Sequence, residues 1–138
     1  MSVSHGDAIR RINPSELGSP AGYSQVVEVQ ATRLIFIAGQ TALDRNGELV
    51  GANDFSAQAQ QVFDNLGAAL HSVGCTASNL VKLTVFVRDM EDLQAYRAAR
   101  NRFFATVTPP AAPTVTLVEV SRLYGPEFLL EIEAIAAA

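Results

Sequence analysis

Near the end of the chain, the stretch FLLEIEAIA (Phe128–Ala136) sets Glu131 and Glu133 two residues apart inside an apolar run. Carboxylates suit general acid–base work on a water molecule or a labile proton. On a strand, side chains alternate between faces, so these two point the same way, about 7 Å apart. Leu130, Ile132 and Ala134 then point the other way and read as core. The acidic face either meets water or lines a polar site. Other reactive residue types lack company. His5 and His71 have no partners at metal-ligand spacing. Cys75 stands alone, so it forms no intrachain disulfide, and Gly74, Thr76 and Ala77 supply it no base. Neither GxGxxG nor GxxxxGK[ST] occurs, and no GxSxG elbow is present.

The elements that must hold these carboxylates follow from periodicity. Residues 1–20 are polar, contain Pro14, Gly18 and Pro20, and read as an irregular arm. Tyr23–Gln30 alternates polar and apolar residues, and Arg33–Gly39 is a denser run of Ile and Phe. Both read as strands. The two-residue link Ala31-Thr32 suggests a hairpin between them. Asn46-Gly47 marks a tight turn, since both residues tolerate positive φ. From Asp54 the period becomes helical. Phe55, Ala59, Val62, Phe63, Leu66, Ala69, Leu70 and Val73 form one apolar stripe, with Asp54 or Ser56 as cap and Gly74 past the end. Asn79–Asp89 is strand, rich in Val, Leu, Thr and Phe. A second helix follows Asp89, with Leu93, Tyr96, Phe103, Phe104 and Val107 inward and Arg100 as the polar interruption. Pro109 and Pro110 must end it. Thr114–Val120 and Phe128–Ala136 are the last strands, separated by a turn at Gly125-Pro126.

The order β-β-α-β-α-β-β predicts an α+β domain: a mixed sheet with two helices on one face and the other face open. A chain of 138 residues makes a single domain, with residues 1–20 as its arm. Half of the residues (49%) are hydrophobic and only 17% are charged. An uncovered sheet face carrying Ile, Val and Phe calls for a partner, most simply a second copy of itself. A net charge of −4 without a Lys/Arg cluster argues against nucleic acid as a partner. No apolar run reaches the ~18 residues needed to span a bilayer, and none serves as a signal peptide. These features lead to the expectation of a soluble cytoplasmic oligomer.

The segments IFIAGQTALDRNGELV, NLVKLTVFVRDMEDLQAYRAARNRFF and LVEVSRLYGPEFLLEIEAIA resemble the RidA (YjgF/YER057c/UK114) family, from Tyr23 to Ala136. The resemblance implies a chorismate-mutase-like fold. It also implies a homotrimer whose three sheets close into a central barrel, with ligand clefts between subunits. The implied activity is that of an enamine/imine deaminase, a hydrolase releasing a 2-keto acid and ammonia without metal or organic cofactor. Carried over by position, the cleft holds Tyr23, then Ala38, Gly39 and Gln40 from AGQ, Arg97 on the second helix, and Glu131. Glu131 would activate the attacking water, Tyr23 would close the pocket, and Gly39 would let a ligand approach the backbone.

One segment departs from the family pattern. Deaminating members carry arginine in P-A-R-S-x-V-E-V, where its guanidinium grips the substrate carboxylate. Here the segment is PTVTLVEV, which puts Val115 at the arginine position and Leu117 where cysteine is common. Valine cannot bind a carboxylate. Either Arg97 supplies the missing cation, or the substrate depends less on a carboxylate. The alternative to an enzyme is a non-catalytic trimer that binds a small metabolite in the same clefts.

Overall fold

A computed structural model describes residues 8–138. Among them are six strands and two α-helices: β1 Ile9–Ile12, β2 Val26–Val29, β3 Leu34–Gln40, α1 Phe55–Ser72, β4 Leu80–Val87, α2 Leu93–Phe104, β5 Thr114–Glu119 and β6 Leu130–Ala137. The main sheet has the order β3-β6-β4-β5. Strand β6 lies between β3 and β4 and runs antiparallel to both, while β5 runs parallel to β4. Hydrogen bonding on both edges of β6 fixes where its glutamates project.

Two expectations about the N-terminal third are corrected. The short Ala31-Thr32 link does not make a hairpin. Strand β2 turns back onto β1 instead, pairing Ile9 with Val29 and Ile12 with Val26 in a separate two-stranded sheet. The arm is therefore not irregular throughout, because Ile9–Ile12 pairs with β2 along its length, with Arg10 beside Glu28. His5 lies outside the described residues.

Helix α1 forms where the stripe places it. Its start is capped by Asp54, whose carboxylate accepts the Ala57 amide at 3.1 Å, and Gly74 takes φ +74° beyond its end. Phe55, Ala59, Val62, Phe63, Leu66 and Leu70 are buried. Helix α2 packs beside it, with Phe63 against Tyr96 and Phe103 at ring separations of 6.3 and 5.2 Å. Under the helices lie Leu83, Val85, Ile132, Ala134 and Ala136, all nearly inaccessible. The opposite sheet face carries Leu34, Phe36 and Val118 with 59%, 72% and 39% exposure. The turn at Asn46-Gly47 closes as expected, with Gly47 at φ +76° and its amide on the Asp44 carbonyl at 2.9 Å.

Candidate functional site

Strand β6 alternates as its sequence requires. Leu130, Ile132, Ala134 and Ala136 are buried, Glu131 is half-buried and Glu133 is exposed. Across the sheet Glu131 stands opposite Phe86, and Glu133 opposite Thr84. Glu133 lines a shallow groove on the open face with Phe36, Ala38, Lys82, Thr84 and Ile135.

What sets Glu131 apart is its neighbour on β3. The β3–β6 register shifts between Ile37 and Gln40, so β3 accommodates one extra residue there. The irregularity brings the Gly39 backbone beneath the Glu131 side chain. A Cβ at Gly39 would lie 2.8 Å from the Glu131 Cδ and 3.0 Å from its Cγ, and would collide with Oε2. Only glycine leaves that room. Glu131 forms no ion pair among the described residues. Beside it the Gln40 amide donates to the Ala38 carbonyl at 3.2 Å. Thr41 Oγ1 meets the Tyr124 hydroxyl at 2.6 Å, and the Tyr124 ring rests 4.7 Å from Phe128. Ala38, Gly39, Gln40 and Glu131 are thus gathered in one place.

The loop leading into β6 is held by a residue that the sequence pattern passes over. Gln58 is fully buried on α1. Its amide donates to the Gly51 and Glu127 carbonyls at 3.0 and 2.9 Å and accepts the Leu129 amide at 2.9 Å. Its place between Phe55 and Ala59 on the apolar stripe is the signal that could have found it.

Tyr23 and Arg97 meet elsewhere, in a cavity of about 570 Å³ also lined by Gly22, Arg100 and Asn101. Neither Glu131 nor Gly39 lines it. Ser24 anchors the Tyr23 segment to the start of β5, its amide donating to the Pro113 carbonyl at 3.0 Å and its hydroxyl to the Ala112 carbonyl at 2.5 Å. Arg100, the polar interruption in the apolar pattern of α2, is buried with its guanidinium over Gly22. Val115 and Leu117 pair with Leu83 and Val85, so they share the helix-covered face and are partly buried against the core. Glu131 is two strands away, about 10 Å across, on the other face. Within one copy the candidate residues therefore form two groups, one on β3 and β6 and one on α2 and the Tyr23 segment.

The chain is similar to known proteins along nearly its whole length. The sequence profile of the family described as endoribonuclease L-PSP matches residues 14–138. A RutC family protein of Synechocystis sp. is 39% identical over 127 residues, covering 91% of this chain and 93% of its own. The 2-iminobutanoate/2-iminopropanoate deaminase of Salmonella typhimurium is 35% identical over 119 residues, covering 86% of this chain and 91% of its own. The crystal structure of a protein of the conserved Rid family from Yersinia pestis superposes with a TM-score of 0.86 at 36% identity, over 95% of this chain and 99% of that one.

Proposed function

Because the chain belongs to the RidA family, whose profile bears the endoribonuclease L-PSP description, and has its chorismate-mutase-like fold, we propose that it hydrolyses reactive enamine or imine metabolites. The observation that carries this reading is the Glu131 carboxylate held over the Gly39 backbone. A half-buried carboxylate without an ion-pair partner is free to take a proton from water. In the proposed reaction the water oxygen bonds to the imine carbon as its proton passes to Glu131. The C=N π pair moves to nitrogen, which takes the proton from Glu131 to give a carbinolamine. The carbinolamine hydroxyl then gives its proton to Glu131, which passes it to the nitrogen as the C–N bond breaks, releasing ammonia and a carbonyl product.

The second half of the site comes from a neighbouring copy. The exposed face with Phe36, Leu34 and Val118 supports closure of three sheets into a barrel. That assembly would set the Tyr23 and Arg97 cavity of one copy against the Glu131 group of the next. Val115 and Leu117, at the β5 edge, would then form the apolar wall where the family arginine ordinarily stands. Substrate recognition is altered accordingly.

The test uses imines generated freshly from several amino acids, with keto-acid release followed against the spontaneous rate. Acceleration by the purified protein is expected. Keto acids that raise the melting temperature while every imine decays at its spontaneous rate would instead establish a metabolite-binding trimer.

A further inference from the structure

Arg100 is the one buried charged residue of the described core, with 7% of its surface exposed. Burying a guanidinium is costly unless it is paired. Yet no described carboxylate lies within ion-pair distance of it. Its partners are neutral. Nε and Nη2 donate to the Asn101 side-chain oxygen at 3.2 and 3.1 Å, and Nη2 reaches the Ala21 carbonyl at 3.5 Å. The rings of Tyr96 and Phe104 lie 5.8 and 5.9 Å from its central carbon. Gly22, at φ +79°, leaves it room: a Cβ there would stand 2.9 Å from that carbon. Of the five guanidinium donors, the pair on Nη1 has no partner among the described residues. The cavity onto which Arg100 opens also holds Tyr23 and a second cation, Arg97.

A cation held by neutral groups alone, with no carboxylate beside it, leaves its charge available to an anion. We propose that Arg100 binds the carboxylate of a small 2-oxo or 2-imino acid, with Arg97 at the rim adding charge. This rests on the proposed function and names the residue that holds its substrate. The fold supports it locally. The segment Ala21–Ser24 touches Arg100 at one end and the strand leading to Val115 at the other. Arg100 and the entry to β5 are thus tied to the same short segment, while Val115 itself does not line the cavity. The substrate remains a carboxylate, and the residue that grips it has moved to another element.

The experiment is equilibrium binding by calorimetry with 2-oxobutanoate and its methyl ester, read without turnover. Wild-type protein should bind the acid at least tenfold more tightly than the ester. Arg100→Gln should weaken the acid about a hundredfold and leave the ester unchanged. Arg97→Ala should weaken the acid only a few-fold, and less so as salt rises. Side-chain NMR of Arg100 in the wild-type protein serves if the variant fails to fold: its Nη signals should shift as acid is added. Equal affinity for acid and ester, an Arg100→Gln variant that binds acid normally, or unmoved Arg100 signals would overturn the proposal. A Glu131→Gln variant should still bind the acid, so loss of hydrolysis and loss of binding are separable.

Discussion

The carboxylate of Glu131 rests on the backbone of Gly39, on a neighbouring strand at the point where the pairing register slips. The contact ties a residue capable of acid–base chemistry to one whose only qualification is having no side chain. Gly39→Ala should therefore act on chemistry more than on folding. A Cβ 2.8 Å from Cδ forces the carboxylate to swing away. Imine hydrolysis should fall at least tenfold while the melting temperature changes by a few degrees. Kinetics on the purified variant beside a thermal scan check both halves of the expectation.

The same carboxylate depends on the loop before β6, which hangs on Gln58. Gln58→Leu keeps the volume but strips partners from the Leu129 amide and the Gly51 and Glu127 carbonyls. The expected cost is about 2 kcal/mol. That is a fall in melting temperature of roughly 5–8 °C.

Tyr96 supplies a pH signature. Burial pushes its phenol up to about 12 from the usual 10, with the charge of Arg100 offsetting part of the effect. The folded state therefore holds this proton more tightly than the unfolded state does. Its contribution is fully present below pH 10 and is lost as pH rises through 12, by roughly 2–3 kcal/mol in all. Its hydroxyl also lacks a hydrogen-bond partner among the described residues. Tyr96→Phe should thus be neutral or stabilising at pH 7 and should flatten the alkaline part of the stability curve. Denaturant titrations from pH 8 to pH 12 read this out.

The open sheet face should be covered in solution. Sedimentation of the wild-type chain should give three copies. Phe36→Glu, which puts a charge at a 72% exposed position on that face, on edge strand β3, should shift the protein toward monomer and abolish hydrolysis with it. A wild-type monomer would remove the barrel.

Much of this was legible in the residues. The two-residue alternation along β6 placed Glu131 opposite the core because a strand has no other choice. The stripe from Phe55 to Leu70 gave α1, and Asp54 and Gly74 gave its ends. Pairing was less visible. Nothing in Val26–Val29 says whether it will join β3 or the arm, since alternation marks a strand but not its neighbour. The candidate site was readable as a set of residues and not as a grouping. Tyr23 and Arg97 lie in a cavity that excludes Glu131 in a single copy. Arg100 looked like an interruption because a buried cation and a solvated one share a letter. What distinguishes them is Gly22, far away in sequence and adjacent in space.

The most direct measurement is kcat/KM for imine hydrolysis by Glu131→Gln, taken with the Kd of a keto-acid ligand for the same protein. Glutamine keeps the size over Gly39 and removes the base. The account predicts a loss of about 10²–10⁴ in kcat/KM with the Kd unchanged. A variant that hydrolyses imines as fast as the wild type would contradict it.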